Sequence, residues 1–165
     1  MITITKHGPE VIDELRPFWL AMVHHHHEVT PQMGPILSDD ETWARRRAHY
    51  EDTLNREHAF ALLARNDSGN AVGYATAVVM PYRSETWIGT DRFMELDSLS
   101  VLPDARGQSV GEALVARVHE EATALGISEM NVWALADNAR AVAFYEGLGY
   151  RRFLVGLRRE QRPDP

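Results

Sequence analysis

Residues 94–111 read MELDSLSVLPDARGQSVG, and the order of residue types in them decides the fold. The stretch begins as a strand, Pro103 stops it, and a loop containing Gly107 opens straight into a helical run, EALVARVHEEATAL. Such an order brings unpaired backbone N–H groups and the positive end of a helix dipole to one place, which suits a phosphate. Gly107 can take positive φ without strain, and Gly111 lets another backbone or a ligand come close. Arg106 adds charge, and Ser109 stands where a helix N-cap is expected.

Working outward, a strand is expected over 130–135, a helix from Asn138 to Leu148, and a last strand over 150–158. Towards the N-terminus, residues 71–80 and 58–65 read as strands joined by a turn at 66–69. Ser38 and Glu41 form a capping box that opens a helix through about Leu54. Residues 30–37, with two prolines and a glycine, read as a loop. An earlier helix begins near Pro9, places Val11, Ile12, Leu15, Phe18, Trp19 and Met22 at helical spacing, and closes on the histidines at 24–27. Residues 2–5 alternate as a strand. Two helices, an antiparallel run of strands and a β-α-β-α-β tail indicate one mixed α/β domain over residues 1–165.

Composition narrows the function. The 165 residues are 44% hydrophobic and 25% charged, as in a soluble globular protein with its own core. There is no cysteine, which excludes disulfides, thiolate metal sites and a cysteine nucleophile. The N-terminus lacks the plan of a signal peptide and no apolar run reaches membrane-spanning length, so a cytoplasmic location and no membrane partner are expected. A net charge of −7 argues against nucleic-acid binding and mildly favours cationic acceptors.

Two segments carry a resemblance. Val101-Leu-Pro103-Asp-Ala-Arg106-Gly107-Gln-Ser109-Val-Gly111 is similar to the acyl-CoA signature of the GNAT superfamily of N-acetyltransferases, Val-x-Pro-x-x-Arg-Gly-x-Gly-x-Gly/Ala, with Ser109 at the usual middle glycine. Asn138-Ala-Arg-Ala141-Val-Ala-Phe144-Tyr145-Glu-Gly-Leu-Gly149-Tyr150 resembles the family's Asn-x-x-Ala-x-x-Phe-Tyr-x-x-x-Gly-Phe segment, at the expected distance and in the expected order. Together they cover roughly the last 75 residues; the first 90 agree in layout only.

The resemblance implies a single GNAT domain, its mostly antiparallel twisted sheet splayed between two strands and flanked by about four helices. Residues 94–150 would be the acyl-CoA-binding core, and the helices over 9–55 would wall the acceptor site. It implies acetyl-CoA as co-substrate, no metal, a primary amine as acceptor, direct transfer in a ternary complex, and a possible homodimer. Cofactor contacts fall on Arg106, Gly107, Gln108, Ser109, Val110, Gly111 and Glu112 at the loop. Leu99, Ser100 and Val101 would lie along pantetheine, with Asn138 and Tyr145 opposite. Tyr145 would protonate the departing thiolate, since a phenol stays protonated at neutral pH, or would only pack against the cofactor.

The base is open. Glu95 lies where several protein-acetylating relatives place a glutamate, and period-two alternation sets Glu95, Asp97, Leu99 and Val101 on one face. Glu95 and Asp97 could bind the amine and take its proton, or be surface carboxylates. Consecutive histidines on a helix cannot all face one ion, so the run at 24–27 reads as a polar helix end from which His24 and His27 could touch substrate. Trp43 and Trp87 are positions where an acceptor could stack, or core and rim residues. Two other classes stay open: a non-catalytic acyl-CoA-binding regulator and a histidine-cluster metal-binding protein.

Overall fold

A computed structural model of the chain describes residues 1–82, 85–86 and 89–159. Five strands form one sheet in sequence order: β1 (Thr3–His7), β2 (Phe60–Arg65), β3 (Ala71–Pro81), β4 (Arg92–Val101) and β5 (Met130–Val132). The first four pair antiparallel and β5 pairs parallel to β4. A parallel neighbour requires a crossover, and α3 (Val110–Ala124) supplies it. Helix α4 (Ala139–Gly147) follows β5, whereas α1 (Arg16–Val29) and α2 (Asp39–Leu54) precede β2.

Each sheet face has its own core. On one, Leu62, Ala75, Ala77, Met94 and Leu96 pack with Leu114, Val115 and Val118 of α3, and Phe144 and Tyr145 of α4 join them. On the other, Ala61, Leu63 and Tyr74 pack with Val11, Ile12, Leu15, Phe18, Tyr50 and Leu54. Hydroxyls close a polar seam within this second layer: Tyr50 and Tyr74 lie 2.7 Å apart, and Tyr74 lies 2.5 Å from Ser98. Among the described residues no helix is long and apolar enough to cross a membrane.

The N-cap half of the capping box forms: Ser38 Oγ accepts from the Glu41 N–H at 3.3 Å, and the Glu41 carboxylate returns to the Ser38 hydroxyl, 3.0 Å away. Three local readings need correction. The first helix begins as a 3-10 segment, Pro9–Leu15, before α1 starts at Arg16. Pro17 explains the break, because it has no N–H and its ring would strike the carbonyl four residues earlier in a continuous α-helix. Helix α1 also continues to Val29, so the histidines lie in its last turns and do not end it.

Residues 151–159 form no strand. A strand needs an edge to pair with, and β5 is only three residues long. Phe153, Leu154, Val155 and Leu157 are therefore exposed. The strand expected over 130–135 is cut short for a related reason: pairing with β4 ends at Leu96↔Val132.

The shared face of β4 is the third correction. Thr76 pairs with Ser98 and Ala77 with Leu96, so Asp97 is an extra residue in a β-bulge. The alternation shifts there. Glu95, opposite Val78, lies on the α2 side with Asp97, whereas Leu99 and Val101 pair with Ala75 and Gly73 and join the α3 core.

Candidate active site

Beyond Leu96 the two parallel strands diverge, because no residue of 97–101 pairs with β5. The opening is one cleft of about 500 Å³, within the range of small-molecule sites. Its floor is Leu96 to Val101 on one arm and Val132 to Leu135 on the other. Arg106, Gly107, Ser109, Val110, Gly111 and Glu112 line one end. Asn138, Arg140, Ala141, Phe144 and Tyr145 of the α4 region form a side wall, and Trp19, Met22, His25, His26 and Arg46 come from α1 and α2.

The loop end is built to receive an anion. The first helical hydrogen bond of α3 runs from Ala113 N–H to the Ser109 carbonyl at 3.0 Å, which leaves the N–H groups of the first turn without helical partners. Gly107 (φ 75°) and Ser109 (φ 57°) are left-handed. Left-handed residues beside right-handed ones turn successive N–H groups into a concavity that favours negative charge. Ser109 occupies the N-cap position, but its hydroxyl caps nothing. It supplies backbone only, in a conformation that glycine adopts without strain. Arg106 is tethered by Nε to the Val101 carbonyl at 3.1 Å, and Gln108 turns away to donate to the Asp104 carbonyl at 3.0 Å. Gln108 thus does not line the cleft, unlike the other expected cofactor residues.

The second motif also holds together. Asn138 is buried and its side-chain oxygen accepts from the Ala141 N–H at 3.1 Å, capping α4. That cap sets Tyr145 two turns on against the cleft, packed edge-on to Phe144 and Tyr150 at 5.1 and 5.6 Å. Burial, with Tyr150 adding, raises its phenol well above the ordinary value, so it stays protonated. Tyr150 is pushed up by burial to about 12.

The acceptor wall differs from the sequence expectation. Of the two acids, Asp97 lines the cleft and Glu95 does not. Asp97 is fully engaged: Arg46 Nη2 donates to Oδ2 at 2.8 Å, His49 Nε2 lies 2.9 Å from Oδ1, and Thr76 donates to Oδ2 at 3.1 Å. Burial pushes its carboxyl up, and the His49 hydrogen bond with the Arg46 charge more than offsets this, so it lies below the ordinary value. His24 and His27 are exposed and do not line the cleft; His24 hydrogen-bonds Asp39 at 2.8 Å. His25 and His26, next to them in the run, line it instead. Helical periodicity could have found these two, since they follow Met22 and Trp19 on one face. Burial, with the charge of His25 adding, lowers the His26 pKa and keeps that imidazole neutral at neutral pH.

Trp43 packs against Tyr50 outside the cleft, and Trp87 lies outside the described residues. Among the described residues no group of three or more histidines and carboxylates is placed to hold a metal ion. Nothing in the local sequence pattern separates Arg46 and Arg140, as cleft residues, from a solvated helix face, and Trp19 reads from its spacing only as an apolar position of the first helix.

Comparison with known proteins agrees with this geometry. The family model described as "Acetyltransferase (GNAT) family" matches residues 19–150. Aminoglycoside N(6')-acetyltransferase type 1 of Klebsiella aerogenes is 30% identical over 138 residues, 73% of this chain and 90% of that protein. Mycothiol acetyltransferase of Saccharomonospora viridis is 29% identical over 116 residues, 70% of this chain; the match spans only 37% of that protein's length. Aminoglycoside acetyltransferase AAC(6')-Iy, solved with a bisubstrate analogue, superposes with a TM-score of 0.69 at 20% identity, covering 99% of each chain.

Proposed function

The chain belongs to the GNAT acetyltransferase family and is an N-acetyltransferase, and from that premise we propose that it moves an acetyl group from acetyl-CoA directly to a primary amine of a small molecule. One observation carries the reading: the anion-binding turn, the opening between β4 and β5 and the Tyr145 phenol all face one cleft. The turn and Arg106 hold the diphosphate, and Arg140 lies across from them. The free edge of β4 over 97–101 aligns pantetheine as a strand would, and sets the thioester beside Tyr145.

Transfer requires a neutral amine, and a neutral imidazole in the wall can accept its proton. His26 has that place. Glu95, off the cleft, would reach the amine only through water. The amine nitrogen attacks the thioester carbonyl, forming a C–N bond and a tetrahedral adduct; as the adduct collapses the C–S bond breaks and Tyr145 gives its proton to the thiolate. With no cysteine in the chain, no thiol is available to carry the acetyl group between two half-reactions. AAC(6')-Iy, which binds a bisubstrate analogue, supports a single ternary complex. The relatives' names, an aminoglycoside and a mycothiol acetyltransferase, support a small-molecule acceptor. The whole chain acts as one cytoplasmic domain in this reading.

Acceptor-dependent release of the CoA thiol over a panel of amines tests it. Turnover with at least one amine is expected. Tight CoA binding with no turnover on any acceptor would instead make the protein a regulator that senses acyl-CoA.

A further inference from the structure

Arg46 reaches into the acceptor end of the cleft from α2 with only 15% of its side chain exposed. Its guanidinium lies over two rings, with Cζ 4.4 Å from the centre of Trp19 and 4.5 Å from that of Tyr50. Trp19 is itself fixed, because its Nε1 donates to Thr42 at 3.2 Å. Ring contacts over the guanidinium leave its N–H groups as the means of recognition. Nη2 donates to the Asp97 carboxylate at 2.8 Å and to its carbonyl at 3.5 Å. Nε is buried without a partner, and Nη1 makes no hydrogen bond among the described residues.

Asp97 already shares its Oδ1 with His49 and its Oδ2 with Thr76, so Arg46 is one of three groups on this carboxylate. The loop does not need Arg46. Val101 is four residue steps along β4 from Asp97, about 13 Å at 3.3 Å per residue, so the CoA diphosphate lies well away. Among the described residues the other carboxylate lining the cleft, Glu112, stands at the loop end. Among those residues the acceptor end therefore presents the Arg46 guanidinium, two imidazoles and no carboxylate but the paired Asp97, a poor site for a polycation.

Resting on the acetyltransferase reading, we infer that the acceptor carries an anionic oxygen group, a carboxylate or a phosphate, besides its amine, and that Arg46 binds that group. A planar, pre-oriented guanidinium edge suits such a group, whose negative charge Asp97 has not already neutralised.

Matched amines with and without the anion test this: lysine against cadaverine, and phosphoethanolamine against ethanolamine. Both kcat/KM by thiol release and the melting temperature of the CoA-saturated protein are read. The wild type is expected to favour the anionic member of at least one pair by about tenfold or more, in KM, the size of one charge-assisted hydrogen bond. That ratio should collapse in Arg46→Lys, which keeps a charge beside Asp97, and in Arg46→Met with Asp97→Asn, which leaves neither partner as an orphan charge. Equal kcat/KM within both pairs in the wild type, or a ratio that survives both variants, overturns the inference while turnover upholds the enzyme. Arg46-dependent stabilisation by the anionic ligands with no thiol release from any amine supports the anion site and overturns the enzyme.

Discussion

Gly111, in the first turn of α3, lies so close to the Phe144 ring on α4 that a β-carbon there would meet Cζ at 3.3 Å and Cε2 at 3.5 Å. The contact joins the two motifs that announce the family. A hydrogen at this one position lets α4 approach the turn at Gly107 and Ser109, and Tyr145 follows Phe144 into the cleft. Gly111→Val should push Phe144 outward and lower CoA affinity by about tenfold or more, since overpacking strain of this kind typically amounts to about 1–3 kcal/mol. Calorimetric titration with CoA measures it.

Ser109 holds φ 57° with no side-chain hydrogen bond to compensate. A left-handed residue other than glycine is strained by about 1–2 kcal/mol, partly offset in a glycine variant by greater unfolded-chain freedom. Ser109→Gly should therefore raise Tm by about 2–4 °C at most and leave CoA affinity equal or tighter, whereas Ser109→Val should lower both. Thermal melts with and without CoA decide it.

Tyr145 is assigned the proton for the leaving thiolate, and its phenol is raised rather than lowered. Tyr145→Phe should reduce kcat by about 10–100-fold with little change in CoA affinity. Because the group stays protonated, no fall in wild-type kcat from this residue should occur below about pH 10. Full activity in the variant would leave Tyr145 a packing residue.

His26 is held neutral by burial, so its folded pKa lies below the ordinary value of about 6.5. As pH falls through that depressed value, the imidazole protonates and can no longer accept the amine's proton. The kcat profile of the wild type should drop on its acid side below about pH 6.5, and His26→Gln should be slow and lack that limb.

Asp97 works in the opposite sense for stability. Its folded pKa is depressed, so the contribution is complete above the unfolded value of about 3.9 and is lost as pH falls through the folded one. Asp97→Asn should destabilise by about 1–3 kcal/mol at pH 7, and the gap from wild type should narrow as pH falls below about 4. Denaturant titrations across that window read it.

Most of the CoA side was legible in the sequence because its signals are local. Pro103, Gly107 and Asn138 act on their own neighbours, and the capping box at Ser38 does the same. The acceptor side was not. A β-bulge at Asp97 is a property of two strands, and it moved Leu99 and Val101 to the face opposite Glu95. Which histidines face the cleft depends on the turn at which Pro17 restarts the helix, so His25 and His26 stand where His24 and His27 were expected. The segment over 151–159 has strand-like residues, yet whether it pairs depends on an edge that β5 is too short to offer.

The most direct measurement follows the acetyl group itself. Acetyl-labelled acetyl-CoA is incubated with the protein and a mixture of small primary amines, and the label is located by mass. The account predicts label on an amine with wild type, sharply less with Gly111→Val, and none on the protein. Label that stays on the thioester with every amine, or that rests on the chain as an acyl-enzyme, would contradict it.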